Sequence, residues 1–378
     1  MVLNISFNEG PGWPNGGGRL IRIRRGMVKE IINSARGVTE ISVEVEGNTE
    51  KALNYDFITG LVQPGDEVTL NTTAVHAGLG SGGYHFVMAN LNVRAADVDE
   101  MGHIMKLRYT PCQVKCFAVE EELNPNRSKI MDFTSMKKTP VIVGTLHSML
   151  APAASGVKVG SSGRLRVVYI MTDGAALPIQ MSRTVAELKE KGLVDATVTV
   201  GHAFGGDYEA VNIYTGLIAA KEAAGADVII VSMGPGVVGT GTKYGFTGIE
   251  QGENINAVNI MEGMPIAIPR ISFVDSRERH IGLSHHTQTV LQKIAVTPCT
   301  VVLPALEPIK ESYVNKQLLR SGIAANHKVV VEDGEPALLY LMERDIVVTT
   351  MGRTMSQDKE YFLAAGAAGI YASKHVVY

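Results

Sequence analysis

The sequence has little cysteine, few aromatic residues and no long hydrophobic run. The 378 residues include only three cysteines. This small, odd number does not suit a disulfide framework and fits a reducing compartment. No apolar run reaches the roughly 18 residues that a membrane span requires, and the first residues lack the charged-then-apolar pattern of a signal peptide. We therefore expect a cytoplasmic protein without a membrane partner.

The chain also has no net positive charge. The formal net charge is −3, so no general positive field attracts nucleic acid. Arg19, Arg22, Arg24 and Arg25 form a local basic cluster, but only 6% of the residues are aromatic, and base-stacking surfaces need aromatic side chains. We do not expect a nucleic-acid partner.

The first third of the chain has the periodicity of β-strands. Residues 1–18 are rich in glycine and proline without periodicity, which predicts a flexible extension. From residue 19 to residue 123 apolar residues mostly alternate with polar ones, as in Ile41–Val45, and turn signals follow. Several short strands of this kind predict a small β-barrel-like domain. Residues 124–139 lack periodicity and are predicted to be a linker.

Residues 140–378 have the pattern of an α/β domain. Short apolar runs recur about every thirty residues, the length of a βαβ unit, and helical patterns such as 208–223 lie between them. This predicts a mostly parallel sheet covered on both faces. An open, doubly wound sheet is preferred because the last intervening helix is short for a barrel wall, and a closed (β/α)8 barrel is the alternative. The predicted strands are 141–146, 166–171, 196–200, 228–233, 265–269, 300–303, 328–331 and 346–349.

Polar residues follow several of these strands. Loops that follow the strands of a parallel sheet emerge on the same edge, where ligands bind, so we expect these residues to share one rim. The candidates for acid/base catalysis are His202, Asp173, His280 and Asp207. For Asp173 an ordinary Asp-Gly turn is the alternative, and for Asp207 the alternative is a helix N-cap.

A glycine-rich loop follows the fourth predicted strand. It matches G-x-G-x-x-G, but the dinucleotide-binding motif opens directly into a helix, whereas further glycines as far as Gly248 delay any helix here. A nicotinamide or flavin site is therefore disfavoured, and the cofactor stays unknown. Successive backbone amides can instead cradle an oxyanion, with a long surface turn as the alternative. The candidate ligand-binding residues are Gly234, Gly236, Gly239, Thr240, Gly241, Thr242, Lys243 and, after the first strand, His147.

The segment from Asp275 to His286 combines arginine, histidine and carboxylate side chains. Arg277 and Arg279 can grip a phosphate or carboxylate bidentately. The candidate metal ligands are Asp275, His280 and His285. His286 is adjacent to His285, and neighbouring helical residues point about 100° apart, so we expect these two not to face one metal. A solvated, charged segment is the alternative.

Three motifs carry a resemblance to a known family. The segments 201–207 (GHAFGGD), 234–248 (GPGVVGTGTKYGFTG) and 277–287 (RERHIGLSHHT) resemble the bacterial family labelled domain of unknown function 3866. The resemblance extends from about Leu20 to the C-terminus. It implies a cytoplasmic bacterial protein and transfers no catalytic role.

The function expected from the sequence is an enzyme that acts on a small anionic or phosphorylated metabolite. Its cleft would lie at the carboxyl ends of the strands, with the glycine loop and arginines binding the anion. A non-catalytic small-ligand sensor and an assembly protein whose polar loops join subunits of a homo-oligomer are the alternatives. Whether the chain is catalytic, which substrate it uses and whether it requires a metal stay open at this level.

Overall fold

The computed structural model describes residues 20–98 and 101–377. They form two compact units, one ending at Val98 and one containing the described residues from Met101 onward. The predicted extension, residues 1–18, lies outside the described residues. The second unit begins before the predicted domain limit at residue 123, and the predicted linker, 124–139, lies within it. None of the described helices is both long and apolar enough to span a bilayer.

The first unit is a closed five-stranded barrel, which confirms the β-barrel-like prediction. The strand order around the barrel is β1-β2-β3-β5-β4, and alternate residues such as Ile41, Val43 and Leu70 fill its interior. The elements are β1 (Ile23–Ala35), β2 (Val38–Val45), β3 (Asn48–Tyr55), α1 (Asp56–Thr59), β4 (Glu67–Asn71), α2 (Thr73–His76) and β5 (Tyr84–Asn90).

The second unit contains the remaining strands and helices. Its strands are β6 (Ile104–Lys106), β7 (Val114–Cys116), β8 (Pro140–Val143), β9 (Val167–Thr172), β10 (Ala196–Thr199), β11 (Tyr208–Glu209), β12 (Val228–Met233), β13 (Met264–Ala267), β14 (Ile271–Ser272), β15 (Gly282–Leu283), β16 (Thr300–Pro304), β17 (Lys328–Glu332), β18 (Thr349–Thr350) and β19 (Arg353–Thr354). Its helices are α3 (Arg127–Met131), α4 (Leu150–Gly160), α5 (Arg183–Glu190), α6 (Ile213–Ile218), α7 (Glu250–Ile260), α8 (His285–Thr289), α9 (Pro308–Ser321), α10 (Ile323–Asn326), α11 (Glu335–Met342) and α12 (Lys359–Ser373).

Eight of these strands form an open parallel sheet in the order β11-β10-β9-β12-β8-β13-β16-β17. Every pairing in this sheet is parallel. Alternate strand residues point to opposite faces: Ile142 packs in a core with α4, α5, α11 and α12, whereas Val141 packs in a core with α6, α7 and α9. The doubly wound prediction is confirmed, and the (β/α)8 alternative is wrong because the sheet has two edges, β11 and β17.

Two predicted elements differ from the structure. Residues 208–223 were expected to form one helix, but Tyr208–Glu209 is the edge strand β11, and α6 starts only after Asn212 caps it with a capping box. Residues 346–349 were expected to form a sheet strand, whereas Thr349–Thr350 pairs only with β19 in a short antiparallel ribbon. The helical spacing in 208–223 therefore applies only from Ile213 onward, and the apolar run 346–349 does not join the parallel sheet.

A buried lysine ties the β6–β7 hairpin to the α/β unit. Lys106 is 1% exposed, and its ammonium group donates to the carbonyls of Thr199 (3.2 Å) and Ala203 (2.6 Å) and pairs with Glu209 at 2.7 Å. A buried charge is tolerated only when it is paired and hydrogen-bonded. The alternating pattern before residue 123 therefore marks a hairpin of the second unit and not a further strand of the barrel.

Helices α4 and α12 approach each other through glycine. All residues from Glu360 to Ala372 are buried, and a Cβ built on Gly369 would lie 2.1 Å from the carbonyl oxygen of Ala153 and 2.9 Å from Cα of Gly156. Because backbone atoms cannot yield like a flexible side chain, the close approach requires glycine.

We predict that Gly369→Ala destabilises the α/β unit by about 1–3 kcal/mol, the usual cost of overpacking a core. Chemical denaturation followed by circular dichroism measures the change in the free energy of unfolding. Gly80→Ala is the control, because a Cβ there meets open space. Equal stability of the Gly369→Ala variant and the wild type would contradict the close helix contact.

Candidate functional site

A crevice forms at the carboxyl edge of the sheet where the helices that follow neighbouring strands pack on opposite faces of the sheet. The helices after β8 and β9, α4 and α5, pack on one face, whereas α7 after β12 packs on the other. Because β12 lies between β9 and β8, the loop after β12 diverges from the loops after both of its neighbours. Ligands of open α/β sheets bind at such switch points, and three cavities lie along this edge.

The first cavity, of about 190 Å³, is basic. Arg270, Arg277 and His286 line it together with Thr145 and part of the glycine loop, Val237–Gly239. This basic cavity lies at the ends of β8, β12 and β13. The guanidinium groups therefore come from the segment after β13, and the opposite wall comes from the loop after β12.

One carboxylate holds the arginines of the basic cavity. Asp275 accepts two hydrogen bonds from the Arg277 side chain, both at 2.9 Å, and one from Arg270 at 3.0 Å. Arg353 lies 3.9 Å from the same carboxylate. The hydrogen bonds from Arg277 hold the pKa of Asp275 well below its usual range, against the effect of burial. A single negative charge shared by two guanidinium groups leaves the cavity wall with an excess of positive charge.

The glycine loop folds back on itself. The Thr240 amide donates to the Gly245 carbonyl at 2.8 Å, and the Thr240 and Thr242 hydroxyls contact each other at 2.9 Å. Lys243 is exposed beside Tyr244, 5.4 Å from the ring centre. Gly236 and Gly241 have positive φ angles of 112° and 79°, which only glycine adopts without strain. The loop is a hairpin whose base lines the basic cavity and whose tip carries the two threonines and the lysine.

The second cavity, of about 210 Å³, adjoins the first and contains His147. It is lined by His147, Ser148, Gly234, Gly236 and residues 349–351. The imidazole contacts Ser182 Oγ at 2.6 Å and Tyr169 Oη at 3.2 Å. Burial lowers the pKa of His147 to about 4, so this side chain is neutral at physiological pH and acts as a hydrogen-bonding group without charge.

The third cavity, of about 270 Å³, is acidic. Asp173 and Gly201 line it from the ends of β9 and β10, and Glu250, Glu253 and Asn254 line it from α7. Burial raises the pKa of Glu250 from its ordinary 4.5 to about 7, although Thr172 donates a hydrogen bond to its carboxylate at 2.5 Å. A carboxyl group that titrates near neutrality suits proton transfer.

Two predicted catalytic residues lie apart from these cavities. His202 does not line any of the three, and its Nδ1 accepts from the Leu107 amide at 3.0 Å. Asp207 pairs with Lys189 at 2.6 Å and accepts from the amide of Thr197 at 2.8 Å. Burial would raise the pKa of Asp207, but these bonds hold it below its ordinary value. Asp207 precedes β11 and caps no helix, so its contacts are those of a structural ion pair.

Three histidine rings gather beside the basic cavity. The ring centres lie 4.8 Å apart for His280 and His285, 4.9 Å for His280 and His286, and 4.2 Å for His285 and His286. His285 and His286 thus lie close together, with one ring nitrogen of each near the other and near His280, which differs from the expectation that they would not face one metal. Both lie in the first turn of α8 after the N-cap Ser284, and the short β14–β15 ladder folds His280 back towards them. Arg279 is exposed next to Gly241 of the glycine loop, and Asp275 is held by the arginines.

Sequence reasoning missed Glu250, Arg270 and the full histidine cluster. The signal for Glu250 was an acidic residue at the start of the helix that follows the glycine loop. Arg270 lies three residues beyond the end of β13, at the start of the segment that also carries Asp275 and Arg277. Burial, which decides the roles of both side chains, has no local sequence signal.

The fold and the carboxyl edge of the sheet define a doubly wound α/β protein with a basic, a neutral and an acidic cavity along that edge. The chain belongs to the family described as "Protein of unknown function (DUF3866)", whose model matches residues 51–369. The match covers part of the first unit and most of the second, and it begins later than the expected Leu20. No curated protein matches the chain.

We predict that Glu250 makes stability depend on pH. The carboxyl binds its proton more tightly in the folded chain than in the unfolded one, so the stability of the wild type decreases as the pH rises from about 4.5 to about 7. Glu250→Gln removes this component, which amounts to at most about 3 kcal/mol for the full shift.

Urea denaturation at pH 4.5 and at pH 8 measures the effect. The free energy of unfolding of Glu250→Gln, relative to that of the wild type, should be higher at pH 8 than at pH 4.5. Glu343→Gln, at a side chain that is 72% exposed, should show no such difference. If the difference between Glu250→Gln and the wild type is the same at both pH values, the carboxyl of Glu250 is not perturbed.

Proposed function

We propose that the chain binds a small anionic, phosphate- or carboxylate-bearing metabolite in the basic cavity. The observation that carries this proposal is the pair of guanidinium groups, Arg270 and Arg277, on the single carboxylate of Asp275. Asp275 is 5% exposed, so solvent screens this arrangement weakly and the uncompensated positive charge is felt strongly in the cavity. An anion supplies the missing negative charge.

The size of the cavities supports a metabolite and not a bare ion. The basic cavity and its neighbour share Leu146, Val237 and Met351 as lining residues. Taken together, the two volumes fall within the range of about 300–1,000 Å³ that is usual for small-molecule sites. The anionic group would lie near the arginines, and the rest of the ligand would extend towards the neutral His147.

We predict that a phosphorylated ligand stabilises the wild type and that Arg277→Gln abolishes most of this effect. A ligand at a hundred times its Kd stabilises by about 2.7 kcal/mol, and losing a charged hydrogen-bonding partner costs about 1.5–3 kcal/mol. The affinity should therefore decrease by about 10- to 100-fold. Thermal shift and titration calorimetry with a panel of phosphorylated metabolites and their dephosphorylated counterparts measure it.

Arg164→Gln is the matched control, since Arg164 is exposed and precedes β9 at the opposite edge of the sheet. Equal stabilisation by the phosphorylated and the neutral compounds would contradict the proposal. So would an Arg164→Gln variant that loses as much affinity as Arg277→Gln.

Catalysis is favoured over a purely sensory role by the acidic cavity. Glu250 has a pKa of about 7, and Asp173, its neighbour in the cavity, accepts from the His202 amide at 3.1 Å. A carboxyl that exchanges protons near neutral pH is what a general acid or base needs. Incubation with the same panel, followed by mass spectrometry, separates the two roles: turnover that Glu250→Gln abolishes supports an enzyme, and binding without turnover supports a sensor.

A further inference from the structure

We propose that His280, His285 and His286 form a binding site for one divalent transition-metal ion, with Zn²⁺ as the reference metal. One ring nitrogen from each of the three residues lies within 4.8 Å of the other two. Three neutral imidazoles are a ligand set for zinc, copper, nickel or iron. This site goes beyond the proposed anion site and does not depend on it.

The second line of support is a pair of buried nitrogen atoms without partners. Nε2 of His280 and Nε2 of His285 make no hydrogen bond within the described part of the chain, and both atoms are buried. His280 itself is 1% exposed. A buried polar atom without a partner destabilises the fold, and a metal bond to each nitrogen would supply the missing partner.

Ser284 orients His280 for this role. Its hydroxyl lies 2.8 Å from Nδ1 of His280 and accepts from the His286 amide at 3.2 Å. When Nδ1–H donates to Ser284, the lone pair of His280 is on Nε2, the atom that has no partner. Metal-binding histidines are commonly fixed in one tautomer by such a hydrogen bond from the other ring nitrogen.

The geometry requires a modest closure. Zinc–nitrogen bonds of 2.0–2.1 Å at tetrahedral angles place neighbouring nitrogens about 3.3 Å apart, so the most distant pair must approach by about 1–1.5 Å. His285 and His286 are partly exposed and can rotate, while stacking on Phe246, at 3.9 Å between ring centres, guides His286.

Three protein ligands leave one coordination position open, as in catalytic zinc sites. His286 also lines the basic cavity, so the metal would lie at the wall of that cavity. Burial lowers the pKa of all three histidines, and the positive charges of Arg270 and Arg277 add to this shift. The same arginines repel a cation, so we expect an anion in the open position to strengthen metal binding.

The test uses the full chain without an affinity tag, treated with a chelator and then dialysed against Zn²⁺ or Co²⁺ without phosphate. We expect one equivalent of metal per wild-type chain, a visible ligand-field spectrum with Co²⁺, and at least tenfold weaker binding in His285→Ala and in His280→Gln. His76→Ala is the control, because His76 is exposed in the first unit. Ser284→Ala, at a positioning residue, should weaken binding about tenfold while the Co²⁺ spectrum persists.

Circular dichroism confirms that each variant is folded. If a variant fails to fold, paramagnetic proton NMR of the Co²⁺-loaded wild type takes the place of that variant's binding measurement. The spectrum should show shifted signals from three imidazole rings. Fewer than three shifted rings, no stoichiometric metal on the wild type, or equal affinity in wild type and His285→Ala would each overturn the site. Because phosphate is absent, these results stand whether or not the basic cavity binds an anion.

Discussion

Eight strands that run in the same direction are the constraint on which the candidate site depends. A parallel ladder sends every strand-following loop to one edge, and here β12 lies between strands whose helices pack on the opposite face. The loop after β12 therefore runs to one face of the sheet, while the loops after β8 and β9 run to the other. The cavities lie between these diverging loops. Residues separated by more than a hundred positions, such as Thr145 and Arg277, line the same cavity for this reason.

The distribution of charge along this edge follows from which groups are buried with a partner. Asp275 is shared by two arginines, so the cavity after β13 is positive. Glu250 is largely buried and accepts a hydrogen bond from the Thr172 hydroxyl, and burial outweighs that bond, so the pKa of Glu250 rises to about 7. His147, in the cavity that adjoins the basic one, is kept neutral by burial, which lowers its pKa. The carboxyl edge thus carries a positively charged cavity wall, a neutral imidazole and a carboxyl group with a raised pKa.

The architecture could be predicted from the sequence because it depends on local periodicity. Alternation in Ile41–Val45 predicted the barrel, and uninterrupted apolar runs such as 228–233 predicted strands buried on both faces. The site was less accessible, because partners decide the role of each side chain. Nothing near Asp207 in the sequence shows that it forms an ion pair with Lys189. His280 lies close to His285 and His286 because of the β14–β15 ladder, which has only two residues per strand.

The proposed function depends on the binding of a small anion at this carboxyl edge. A crystal structure of the protein grown with arsenate, an analogue of phosphate, tests it directly because arsenic gives an anomalous signal. We expect an arsenic peak within hydrogen-bonding reach of Arg270 and Arg277, against the base of the glycine loop. An ordered arsenate only at the amino edge of the sheet, with the basic cavity occupied by water, would contradict it.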